Sequence, residues 1–239
     1  MFPLRDTVRS RTFPVATLGL IVINTLIFIF QTTLGQYRFN TMLELFGLVP
    51  VRITLADPLS VVTLFTSMFL HGGWFHLISN MWTLFIFGDN VEDRMGSIRF
   101  IAFYLFAGIV SGLTYTLVTT ATYGSLSLQS RIPTVGASGA IAGVLGAYLI
   151  LYPRARVITL IPLFILPWTV EIPAFIYLGV WFFTQVSSGL LSLGAYGNFV
   201  GIAWWAHIGG FIVGVLLVGL FSRRTSYNHL EQRNDFPPW

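Results

Sequence analysis

Four side chains in this sequence have the types and placement for acyl-transfer chemistry. Ser138 opens the apolar run in "TVGASGAIAGVLGAYLILYP", His207 stands in "AWWAHIGGFIVG", and His76 and Asn80 share "HGGWFHLISNM". A neutral imidazole about 3 Å from a serine hydroxyl can take its proton during attack on a carbonyl and return it to the leaving amine. The resulting oxyanion needs donors. Candidates are the unpaired N–H groups at a helix start, including that of Ser138, the Asn80 amide and a ring nitrogen of His76. Gly136 and Ala137, just before the serine, keep the approach narrow and let a substrate backbone come close. Cysteine is absent, which excludes thiolate metal sites and cysteine nucleophiles, and the chemistry calls for no metal and no cofactor.

Each of these residues also has an ordinary reading. Serine caps helix starts well, and a histidine near the interface can bond a loop carbonyl. His76, Asn80 and Thr83 fall at i, i+4 and i+7, a polar stripe that also suits bonding between membrane helices. Depth argues for the joint reading. Trp74 precedes His76 by two positions, and Trp204 and Trp205 precede His207 by three and two. Tryptophan favours the membrane interface, so both imidazoles should lie only about 3–5 Å deeper at the helical rise. Ser138 starts its own span at a similar level.

The elements that must position these groups are membrane helices. Of 239 residues 55% are hydrophobic and 9% charged, against about 25% charged in soluble domains. The mean hydropathy is +0.77. Apolar runs predict an all-α, polytopic membrane protein with six transmembrane helices at 15–35, 73–88, 99–121, 137–152, 172–193 and 204–221. All 13 basic residues are arginine. Arg5, Arg9 and Arg11, then Arg94 and Arg99, Arg154 and Arg156, and Arg223 and Arg224 fall on one side, which predicts both termini inside. The net charge of +4 then requires no nucleic acid.

A long outer loop, 36–72, joins the first two spans and contains "NTMLELFGLVP", suited to an interfacial helix. The inner segment "VITLIPLFILPWTVE" is broken by Pro162 and Pro167 and reads as an interfacial connection or a re-entrant piece. The organisation predicted is one six-helix membrane domain over 1–222, with a short polar cytoplasmic tail at 223–239. Small residues say which helices meet. Gly210 and Gly214 follow His207 at i+3 and i+7, and Gly143 lies in the glycine-rich fourth span, so the two spans can approach closely. An orienting carboxylate is hard to find, because only Glu44 and Asp57 lie on the outer connection. The expectation is a Ser–His dyad.

The sequence resembles the rhomboid family of intramembrane serine proteases. "GASGA" with Ser138, "AHIGGFIVG" with His207 and "HGGWFHLISNM" with His76 and Asn80 occur in the family's order, and the likeness runs from the first span to residue 221. "GDNVEDRMG", with Gly88, Glu92 and Gly96, is similar to the family's G-x-x-x-E-x-x-x-G pattern and reads as a structural brace. The resemblance implies a peptidase that cuts single-pass membrane proteins near the outer boundary of their transmembrane segments. It implies Ser138 as nucleophile, His207 as general base, and His76, Asn80 and the Ser138 backbone as oxyanion stabilisers. Partners would be such substrates and the lipid bilayer, by default in a prokaryotic cytoplasmic membrane with the site towards the outer face.

The outer connection departs from the family in lacking its Trp-Arg pair; "SVVTL" stands before "FTSMFLH". The link "SLGAYGN" between the last two spans is glycine-rich and uncharged. Trp181 and Gln185, in "WFFTQ" on the fifth span, receive no role, and His71 would line a water entry or brace the outer loop. The competing reading is a catalytically inactive rhomboid-like module, a pseudoprotease or derlin-like protein that binds membrane clients. It needs the fold but not the dyad.

Overall fold

The computed structural model describes residues 2–54, 57–163, 166–194 and 203–223. The polar tail beyond Arg223 and most of the glycine-rich link lie outside the described residues. In chain order the elements are β1 (Phe2–Asp6), α1 (Val15–Thr33), α2 (Gly35–Phe46), α3 (Pro58–Thr66), α4 (Trp74–Met95), α5 (Ser97–Tyr123), the single turn α6 (Leu128–Arg131), α7 (Ser138–Leu151), β2 (Arg156–Leu163), β3 (Leu166–Pro173), α8 (Ala174–Gly194) and α9 (Trp204–Phe221). This is a mostly helical, multi-pass integral membrane protein.

Helices α1, α5, α8 and α9 are long and apolar enough to cross a bilayer, and α3 with α4 makes a fifth candidate bent by 79°. Helices α1, α4, α5, α7, α8 and α9 stand at the six expected places, and among them α7 alone is neither a candidate by itself nor part of the bent pair. The 14-residue α7 is apolar but short, about 21 Å at 1.5 Å per residue against a hydrocarbon core of about 30 Å. It can be short because it is central. Every residue from Gly139 to Tyr148 is buried, with α9, α5 and α4 packed around it. A helix enclosed by others need not span the full hydrocarbon core, and Ser138 is its first residue.

The all-α expectation is corrected. β1, β2 and β3 form an antiparallel sheet in that order, and the segment 157–171, expected as an interfacial connection or a re-entrant piece, belongs to the paired strands β2 and β3. Its β-branched runs suit strands. Pro162 sits opposite Pro167 at the far end of this pairing, beyond the Val157–Leu160 stretch that β1 covers. Neither proline withholds a hydrogen from the β1–β2 ladder. The sheet meets α4, where Phe2 stacks on Trp82 at 5.7 Å and the Trp82 indole donates to the Pro3 carbonyl at 2.7 Å.

The inner end of α4 continues to Met95, past the expected limit at 88, because its polar residues are occupied. Pro14 precedes α1 and offers its helix no side-chain cap. Glu92, 1% exposed, supplies one from α4. Its two carboxylate oxygens accept from the Ala16 and Thr17 N–H groups at 2.9 and 2.8 Å, and Ser97 Oγ donates to it at 2.6 Å. Gly88, one turn earlier, faces Thr17, which lies 3.0 Å from where a Cβ would stand. The brace read in "GDNVEDRMG" is therefore a helix cap delivered across a helix pair. Beside it, Asp6 of β1 accepts from Asn90 Nδ2 at 2.9 Å and from the Tyr148 hydroxyl.

Glu92→Ala should lower apparent stability by at least about 2 kcal/mol, since two helix N–H groups lose a buried acceptor. Glu92→Gln, keeping one acceptor oxygen, should fall between that variant and wild type in detergent melting. A second prediction concerns acidity. Burial pushes the Asp6 carboxyl from 3.8 up to about 7; the nearby Asp89 adds to the rise and the Tyr148 hydrogen bond opposes it. The folded protein then holds a proton that the unfolded chain releases, so stability should decline as pH rises from about 4 to 7 and level off above. Asp6→Asn should flatten that slope in melting curves taken across pH.

Candidate active site

Ser138 is the first residue of α7, and the helix's N-cap is Ala137, whose side chain caps nothing. The serine hydroxyl does not cap the helix either. It lies 2.8 Å from Nε2 of His207, which stands in the first turn of α9. The backbones of the two helices set that distance. A Cβ on Gly210 would overlap the Gly139 carbonyl oxygen, and one on Gly214 would overlap that of Gly143. Gly146 meets the Phe211 carbonyl in the same way. Gly143 also faces α5, where a Cβ would lie 2.6 Å from that of Ala107. Small residues at four-residue spacing thus let α7 and α9 touch main chain to main chain.

A third helix locks the pair. The absent side chain of Gly139 makes room for Ser111 of α5, whose hydroxyl donates to the Ala206 carbonyl at 2.8 Å, next to His207. The ring of His207 faces Trp181 at 6.0 Å and Trp204 edge-on at 6.4 Å. Its other nitrogen, Nδ1, lies 2.8 Å from Oε1 of Gln185 on α8. Sequence reasoning missed Ser111, and it passed over Gln185, a polar residue in an otherwise apolar span.

His76 and Asn80 come from α4, one turn apart. Gly136 has φ +125°, a conformation that side chains rarely adopt, and a Cβ there would stand 2.6 Å from His76 Nε2 and 3.5 Å from Asn80 Nδ2. The glycine therefore brings main chain against both potential donors. Asn80 is 7% exposed, and its Nδ2 has no hydrogen-bond partner among the described residues. A buried amide held without an acceptor is a donor in waiting. Asn80, His76, Ser138 and His207 all line one cavity of about 810 Å³, which also reaches Gln129 and Tyr115.

The segment leading to Ser138 is pinned from the outer connection. Leu48 and Thr134 exchange backbone hydrogen bonds at 2.9 and 2.8 Å, and the Gly136 N–H donates to the Ser67 carbonyl at 2.9 Å. Gly47 fits against Pro133 and Val135, each 3.0 Å from a Cβ position. Backbone pairing thus anchors the loop in a chain without the Trp-Arg pair. His71 is fully buried. Its N–H donates to Gln31 Oε1 at 3.2 Å and its carbonyl accepts from Gln31 Nε2 at 3.3 Å, which ties the connection to α1. Of the outer carboxylates, Asp57 caps α3 through the Leu59 N–H at 3.1 Å.

Chemically, a hydroxyl on an imidazole nitrogen at the floor of a cavity with free donors suits nucleophilic attack on a carbonyl. A family profile described as Rhomboid domain matches residues 58–224. RHOMBOID-like protein 1 of Arabidopsis thaliana is 31% identical over 214 residues, which cover 84% of this chain and 48% of that protein. The presenilin-associated rhomboid-like protein, mitochondrial, of Homo sapiens is 28% identical over 207 residues, 84% of this chain and 46% of the relative. Rhomboid protein 1, mitochondrial, of Saccharomyces cerevisiae is 30% identical over 158 residues, covering 66% and 41% respectively. The chain spans about half the length of the curated relatives it matches.

Proposed function

The chain belongs to the rhomboid family, and from that premise we propose that it is an intramembrane serine endopeptidase. It hydrolyses peptide bonds near the outer boundary of the transmembrane segments of single-pass membrane proteins. The observation that carries this reading is the 2.8 Å contact between Ser138 Oγ and His207 Nε2, on a cavity that Asn80 and His76 also line. Ser138 Oγ forms the bond to the substrate carbonyl carbon as its proton passes to His207 Nε2. The oxyanion is received by Asn80, His76 and the Ser138 N–H. On collapse the C–N bond breaks and the imidazolium returns its proton to the leaving amine. Water, deprotonated by the same imidazole, then releases the acyl group.

A peptide bond inside a helix is unavailable to a nucleophile, since its backbone is hydrogen-bonded and wrapped by side chains. Placement of Ser138 at the end of the short α7 suits a substrate segment that leaves its helix near the membrane boundary. The arginine distribution puts both termini inside and the site towards the outer face, in a prokaryotic cytoplasmic membrane by default.

Ser138→Ala and His207→Ala should each reduce cleavage of a single-pass substrate in liposomes by at least about 10³-fold, with unchanged melting. Wild type alone should react with a fluorophosphonate probe. Turnover by the serine variant equal to wild type would remove Ser138 from the mechanism. Asn80→Ala should lower kcat by about 10²-fold or less, because other donors remain; unchanged kinetics would reassign Asn80 to packing.

A further inference from the structure

The geometry points to Gln185 as a positioning residue that holds His207 in the tautomer able to accept the Ser138 proton, a role that rests on the protease reading above. An imidazole can act as base through Nε2 only when its hydrogen is on Nδ1. In serine hydrolases of the triad type a carboxylate enforces that arrangement. Here Asp57 caps α3 and Glu92 caps α1. The group on Nδ1 is an amide.

An amide can offer oxygen or NH₂, and the surroundings decide which. Gln185 is 5% exposed. Its Nε2 donates to the Trp181 carbonyl at 3.2 Å and to Thr184 Oγ1 at 3.2 Å. The Thr184 hydroxyl spends its own hydrogen on the same Trp181 carbonyl at 2.6 Å, so its oxygen is free to accept. Turning the amide over would press Oε1 against the Trp181 carbonyl oxygen and lose both bonds. Oε1 therefore faces His207, 2.8 Å from Nδ1, and an amide oxygen can only accept. Nδ1 must carry the hydrogen. Nε2 is left with its lone pair towards Ser138 Oγ, 2.8 Å away, and the hydroxyl donates to it.

The same contact restrains rotation of the ring, which Trp181 faces from one side. As His207 becomes an imidazolium, its Nδ1–H keeps an acceptor in place and the developing charge meets an aligned dipole. Gln185 touches neither substrate nor the reacting atoms. It acts through the base.

The test uses the full chain in liposomes with a single-pass substrate. Gln185→Met keeps the length of the side chain and removes the acceptor; kcat should fall about 10- to 100-fold while KM stays within about twofold. Gln185→Glu restores an acceptor for Nδ1–H and should recover most of that loss. In wild type, ¹⁵N-histidine NMR should show the Nδ1–H form for the signal that disappears in His207→Ala. Wild-type kcat in Gln185→Met, or an Nε2–H signal for His207, would overturn the assignment with the protease reading intact. A wild-type protein that neither cleaves substrate nor reacts with a fluorophosphonate would overturn the protease reading and the role of Gln185 with it. The NMR readout needs no variant of Gln185, so it decides the matter even if Gln185→Met unfolds.

Discussion

Main-chain contact between α7 and α9 is the constraint on which the rest depends. Lipid tails are as apolar as leucine, so membrane helices gain little from hydrophobic burial against each other. They must gain from close packing, and glycine permits the closest. With side chains between them, helix axes stand about 8–10 Å apart. Gly139 against Gly210 and Gly143 against Gly214 remove those side chains at consecutive turns. The hydroxyl and the imidazole they bring together reach each other at 2.8 Å, a distance that moderate separation of the helices would abolish.

Buried polar groups are tied to one another at one end of the bundle and line a cavity at the other. Glu92 serves two helix N–H groups and Ser97, and Asp6 serves Asn90 and Tyr148. At the end that holds Ser138, Asn80 Nδ2 has no partner among the described residues, beside Gly136 at φ +125°.

Support for the catalytic pair is distributed over several elements. α5 reaches α9 through Ser111. The outer connection grips the approach to Ser138 through Leu48 and Ser67, and α8 reaches His207 through Gln185. α8 is the least enclosed of the four long spans, with 22% of its apolar window buried. The contact to His207 Nδ1 therefore comes from the least enclosed of these helices.

The convergence of Ser138, His207, His76 and Asn80, the apolar helices, the glycine face of α9 and the "GDNVEDRMG" brace were legible in the sequence. Each rests on a local signal: residue type, helical spacing, or length of apolar run. What stayed hidden depended on partners distant in the chain. The sheet was missed because β1 lies more than 140 residues from the strand it pairs with, and a proline-broken apolar run carries no mark of that pairing. α7 looked like a full span because apolar character does not reveal that its Gly139–Tyr148 stretch is enclosed by protein. Gln185 and Ser111 looked like isolated polar residues, since a hydrogen bond between helices leaves no periodic trace. Side-chain chemistry is written residue by residue, whereas the acceptor that faces His207 Nδ1 was decided only when α8 and α9 packed.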